Sequence, residues 1–135
     1  MAELTVPARV ENLGQVLSFV DGELEKLECP MKAQMQIDVA VEELYVNIAS
    51  YAYAPDEGEA LIRVLPGEDG CSVEIDFEDS GRPYDPLAKP DPDVTLSAAE
   101  RQVGGLGIFM AKKCMDWMSY AREGNRNILR TRKAF

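Results

Sequence analysis

Residues 59–79 read EALIRVLPGEDGCSVEIDFED, and their pattern decides the architecture of the chain. From Cys71 to Glu78 the residues alternate, with Cys71, Val73, Ile75 and Phe77 on one side and Ser72, Glu74, Asp76 and Glu78 on the other. A period of two marks a strand with one buried face and one wet face. Residues 59–65 form a second strand candidate, and Gly67-Glu68-Asp69-Gly70 supplies the turn between the two. Together they predict an antiparallel hairpin.

Toward the N-terminus the period becomes helical. Leu13, Val16, Leu17, Val20, Leu24 and Leu27 mark an amphipathic helix that stops before Cys29-Pro30. A second helix is predicted from about Met31 to Ala54, ended by Pro55. Ile37, Val41, Leu44, Ile48 and Tyr51 line one of its faces, and Met35, Val39, Val46, Ala49 and Tyr53 cover much of the rest, so it reads as largely buried. Between those faces runs a narrower strip of Gln36, Ala40, Glu43, Asn47 and Ser50. Such a strip lines a pocket or meets a partner group, because an unpaired buried polar atom costs about 1–3 kcal/mol. Residues 3–10 read as an edge strand whose pairing Pro7 limits.

Toward the C-terminus, residues 79–103 hold Pro83, Pro86, Pro90 and Pro92 and read as a long loop, a length that is functional or disordered inside a compact domain. A helix from about Leu106 to Met115, a strand at 116–122, a turn at Gly124-Asn125 and a strand at 126–133 complete the chain. This order predicts an α+β fold, a two-layer sandwich with helices on one face of a mixed, mainly antiparallel sheet. All 135 residues fit a single domain.

The net charge of −10 opposes direct binding to nucleic acid. It is uneven: residues 1–100 carry 6 Lys and Arg against 22 Asp and Glu, and residues 101–135 carry 8 against 2. The basic end either balances the acidic half on a solvated surface or faces phosphates or an acidic partner. The odd set Cys29, Cys71 and Cys114 makes neither a disulfide framework nor a zinc site and fits a reducing cytosol. Neither a signal-peptide layout nor a membrane-length apolar run is present, so a cytoplasmic protein without a membrane partner is expected. Histidine is absent, which leaves catalysis to carboxylates, hydroxyls and cations.

Three short elements carry chemistry. Glu43 and Asn47, four apart on one helix, point the same way. An amide oxygen suits Mg2+, and a neighbouring carboxylate can take a proton from an attacking hydroxyl. Glu42 stands beside Glu43, and the spacing to Asn47 favours Glu43. Asp79-Ser80-Gly81 ends a strand, where a carboxylate can accept from an adenine amino group and Gly81 leaves room for a ligand at the backbone. Gly104-Gly105-Leu106-Gly107 opens a helix, presenting free N–H groups and the positive helix end to an anion, with Arg101, Lys112 and Lys113 adding charge. Each element taken singly is also ordinary helix surface, turn punctuation or hinge.

In order and context the three resemble the boxes of the histidine-kinase-like ATPase superfamily: E-x-x-x-N at Glu43 to Asn47, D-x-G at Asp79 to Gly81, and G-x-G at Gly105 to Gly107. VAVEELYVNIASYAY, DSGRPYDP and GGLGIFMAKKCMDWMSYAREGNRN are similar to the bacterial anti-sigma-factor serine kinase family, a resemblance spanning residues 35–130. It implies ATP with Mg2+ as cofactors, Asn47 on magnesium, Glu43 as general base, Asp79 and Gly81 at the adenine, Gly104, Gly105, Leu106 and Gly107 at the phosphates, Arg101 on the terminal phosphate, and a lid from about Leu87 to Val103. It further implies a homodimer that holds a sigma factor and phosphorylates a serine or threonine of a STAS-domain antagonist. A nucleotide-binding module that does not phosphorylate its partner is the alternative. Tyr51 stands where the family's helix often carries histidine.

Overall fold

The computed structural model describes residues 1–88 and 105–135; Arg101, Gly104 and the expected lid beyond Ala88 lie outside them. The elements are β1 (Ala2–Pro7), a 3-10 turn (Val10–Asn12), α1 (Leu13–Lys26), α2 (Met31–Tyr51), β2 (Glu59–Pro66), β3 (Ser72–Asp79), α3 (Gly105–Cys114), β4 (Trp117–Glu123) and β5 (Arg126–Ala134). The strands form one sheet in the order β1-β2-β3-β5-β4. Every neighbouring pair is antiparallel, so the mainly antiparallel sheet expected from the sequence is antiparallel throughout. The crossover through α3 returns the chain so that β3 and β4 point the same way, but β5 is inserted between them and no parallel ladder forms. Gly70 (φ 72°) and Gly124 (φ 63°) supply the left-handed turn residues of the two hairpins.

The helices share one face of the sheet. Val16, Val20 and Leu24 of α1, Ile37, Val41, Leu44 and Tyr45 of α2, and Ile108 and Ala111 of α3 pack over Ile62, Val64, Val73, Ile75 and Phe77. Tyr45 also ties α2 to the end of β1, donating to the Arg9 carbonyl at 2.8 Å and accepting the Arg9 N–H at 3.2 Å. α2 ends at Tyr51, three residues earlier than the pattern suggested, and is not buried all round. Met31 and Met35 are 67% and 62% exposed, and Val39 is also exposed, because α1, α3 and the sheet leave that stripe uncovered; Tyr51, exposed as well, lies on another side of the helix, at the cavity described below.

The other face of the sheet resolves the charge asymmetry. β3 and β5 are neighbours, so the acidic positions of one meet the basic positions of the other: Glu74 with Arg132 at 2.9 Å, Asp76 with Arg130 at 3.9 Å, and Glu78 with Arg126. Arg63 of β2 closes the lattice on Glu78 at 2.5 Å and on Glu3 at 2.6 Å. The basic C-terminal quarter is thus paired with part of the acidic remainder within the fold, and the chain keeps its net charge of −10.

Two carboxyls are poorly solvated. Burial, and then the neighbouring Asp21 carboxyl, push Asp38 up to about 7. Burial and Glu74 push Asp76 up to about 7 against the pull of Arg130 and Arg63. Asp21 Oδ1, Asp38 Oδ1 and Asp76 Oδ1 have no hydrogen-bond partner among the described residues. A carboxyl that keeps its proton longer when folded loses stability as pH climbs from about 4 toward 7. Stability is therefore expected to fall between pH 5 and pH 8. Asp38→Asn should flatten that fall and raise the urea midpoint at pH 8, leaving the share due to Asp76; an unchanged pH slope would contradict the assignment.

Candidate functional site

A cavity of about 420 Å3 opens between α2, the ends of β3 and β5, and the start of α3. Asn47, Ile48 and Tyr51 of α2, Phe77 and Asp79 of β3, Ile108 of α3, and Tyr120, Asn127 and Leu129 of the last hairpin line it, with Arg82, Tyr84 and Pro86 from the segment after β3. This volume lies within the range of small-molecule sites.

Asp79 reaches the cavity because the period of two that buries Val73, Ile75 and Phe77 carries it to the helix side at the strand's last position. Its carboxylate is buried, and its hydrogen bonds all fall on one oxygen. Oδ1 accepts the Gly81 N–H and the Asn127 side-chain amide, both at 2.9 Å. Oδ2 has no partner among the described residues, so it is left to accept from a ligand.

Asn127 is the register partner of Asp79 on β5. Its Nδ2 also donates to the Arg82 carbonyl at 2.8 Å, and its Oδ1 accepts the Tyr120 hydroxyl at 2.5 Å and the Tyr84 N–H at 3.4 Å. Those partners fix which way the amide points.

The Asp79-Ser80-Gly81 turn is clamped to the end of α2. Arg82 N–H donates to the Ala52 carbonyl at 3.0 Å, and the Arg82 guanidinium donates to the Ala54 carbonyl. Arg122 reaches the Gly81 carbonyl at 2.9 Å. A Cβ on Gly81 would overlap the Ala52 carbonyl, so the space the sequence assigned to ligand approach is taken by α2 itself.

Glu43, one turn before Asn47 on α2, lies against α3. A Cβ on Gly107 would sit 2.5 Å from Glu43 Oε2. Glu42 is exposed and Glu43 half-buried. Asn47 lines the cavity and makes no hydrogen bond among the described residues, so its amide oxygen is available to a hard cation such as Mg2+, which needs one or two protein ligands. Gly105 and Leu106 begin α3, while Arg101 and Gly104 lie outside the described residues. Lys113 sits over the Phe109 ring at 5.3 Å, and Lys112 lines a separate small cavity with Leu87, Asp116 and Trp117.

The structure thus brings together Asn47, Asp79 and the segment beside Glu43 and Gly107, and it adds Asn127, Tyr84, Tyr120, Arg82 and Arg122, which sequence reasoning did not single out. One signal for Asn127 was legible. Asparagine is depleted in strands, yet it stands inside an Asn-Ile-Leu-Arg-Thr strand pattern.

Fold and site define a two-layer α+β domain with a small-molecule cavity between its helices and the ends of its central strands. The chain belongs to the histidine kinase-like ATPase domain family, which matches residues 6–133. It is 31% identical over 125 residues to the serine-protein kinase RsbW of Halalkalibacterium halodurans, covering 84% of this chain and 71% of that one. It is 26% identical over 98 residues to the serine/threonine-protein kinase BtrW of Bordetella bronchiseptica, covering 73% and 68%. The fold is similar to that in the solved RsbU and RsbW domains of Rv1364c from Mycobacterium tuberculosis, with a TM-score of 0.64, 14% identity and 99% of this chain aligned to 32% of that one. It also resembles the histidine kinase domain of a blue-light activated kinase from Erythrobacter litoralis, with a TM-score of 0.57, 16% identity and 96% of this chain aligned to 61% of that one.

Gly107→Ala tests the contact at the start of α3. The atom that must yield is the tip of a flexible side chain, so the variant should keep its thermal midpoint while the Glu43 carboxylate moves. A crystal structure of the variant should show the carboxylate displaced from the first turn of α3. A Glu43 side chain left in its wild-type position would contradict the packing of Glu43 against Gly107.

Proposed function

We propose that the chain is a single ATP-binding domain, residues 1–135, that acts as a cytoplasmic anti-sigma regulator and serine/threonine protein kinase on a STAS-domain antagonist. The observation that carries this reading is the placement of Glu43 against the first turn of α3 while Asn47, one turn on, shares a cavity with Asp79. The names of the two kinase relatives support it.

In this mechanism the adenine amino group donates to Asp79 Oδ2. Asn127 and the Gly81 N–H hold Oδ1, so the carboxylate cannot turn away. Free N–H groups at the start of α3, from Gly105, Leu106 and Gly107, face the phosphates together with Gly104, and Arg101 neutralises the terminal one. Asn47 would hold Mg2+, which when bound neutralises charge on the phosphate oxygens. Glu43 accepts the proton of the attacking serine or threonine hydroxyl, and positioning with charge stabilisation does the rest. The lid from about Leu87 to Val103 would cover the nucleotide, and the working unit would be a homodimer that also holds a sigma factor.

Intact mass of a STAS-domain protein encoded beside this chain, after incubation with the chain and Mg-ATP, tests the reading. A gain of one phosphate is expected with wild type, and Glu43→Gln should bind ATP normally while transferring about 100- to 10,000-fold more slowly. Asp79→Asn should weaken ATP binding about 10- to 100-fold, the range of one hydrogen bond to a charged group. No phosphate gain, despite ATP binding and complex formation, would make the chain a binding-only module.

A further inference from the structure

We propose that Tyr53 is a positioning residue for Asp79 that sets how strictly the site selects a 6-amino purine over a 6-oxo purine; this rests on the nucleotide reading above. Tyr53 lies two residues beyond α2 and does not line the main cavity. Its ring is packed on Gly58, where a Cβ would overlap it, and it walls an open groove on the far side of the turn. The phenol is fully committed. It accepts the Ser80 N–H at 2.7 Å and donates its one proton to the Glu59 carbonyl at 2.6 Å.

Ser80 is the residue between Asp79 and Gly81, so three successive N–H groups of the turn have fixed acceptors. Ser80 donates to Tyr53, Gly81 to Asp79 Oδ1, and Arg82 to Ala52. Two of those acceptors belong to the chain leaving α2. The peptide that carries the Asp79 side chain is therefore held from behind by Tyr53, while Asn127 holds the carboxylate from the front.

The consequence is selectivity rather than fold alone. Oδ2 attracts an amino group and opposes a carbonyl, and an acceptor facing an acceptor is penalised only while the carboxylate cannot turn away. Loosening the Ser80 peptide frees that rotation. Tyr53→Phe should therefore weaken ATP binding and lower the ATP-over-GTP affinity ratio about tenfold, the size of one hydrogen bond's net contribution.

The experiment is calorimetric titration of the full chain with Mg-ATP and Mg-GTP, alongside thermal unfolding. Tyr45→Phe is the control, since that phenol bonds the backbone of Pro7 and Arg9 rather than the Asp79-Ser80-Gly81 turn, and its loss should lower stability with the affinity ratio intact. A folded Tyr53→Phe with the wild-type ratio overturns the proposal. Should Tyr53→Phe fail to fold, Gly58→Ala, which pushes the ring without removing the hydroxyl, carries the decision: a reduced ratio supports the proposal and a wild-type ratio overturns it. Wild type that binds neither nucleotide, or both equally, overturns the nucleotide or adenine reading itself before any substitution is made, and the Tyr53 proposal with it.

Discussion

The backbone at Gly81 comes so close to the Ala52 carbonyl that no side chain fits between them, and much of the site follows from that approach. It brings the end of the central strand β3 against the end of the helix α2, and a cavity opens between the two elements just where their polar residues converge. The sheet presents Asp79, and the helix presents Asn47. A larger residue at position 81 would have to displace helix backbone rather than a mobile side chain, so the constraint holds strand and helix in one register.

The polar atoms of the turn are then satisfied in a way that leaves one oxygen over. Asn127, Arg122, Tyr53 and the two carbonyls that follow α2 take up the neighbouring groups. Among the described residues Asp79 receives two neutral donors, and both reach Oδ1. A buried carboxylate so arranged is half satisfied by those residues, and in the proposed reading a ligand donor completes it. Glu43 rests on the first turn of α3, whose Ile108 lines the same cavity, and the start of a helix favours an anion. In the proposed reading the carboxylate takes the amino-bearing ring of the nucleotide and the helix start its phosphates.

The sequence made some of this legible and hid the rest for physical reasons. The period of two in residues 71–78, the helical stripe of Val16, Val20 and Leu24, and both hairpin turns are local signals, and the elements they predict are present within a residue or two at most ends. The insertion of β5 between β3 and β4 depends on partners some 50 residues apart and leaves no local trace. Asn127 reaches Asp79 from 48 residues away and Tyr53 reaches Ser80 from 27, so these contacts appear only once the chain is folded. The exposure of Met31 and Met35 could not be read either, since an apolar helix face does not say whether a neighbour will cover it. The mixed charges of β3 and β5 were visible as an imbalance, and their mutual pairing was not.

The most direct measurement is a crystal structure of the chain with a non-hydrolysable ATP analogue and Mg2+. The account predicts the adenine amino group within hydrogen-bonding distance of Asp79 Oδ2, magnesium beside Asn47, and the phosphates at the first turn of α3 next to Glu43. An analogue bound outside this cavity, or seated in it with the phosphates at Asp79, would contradict the account.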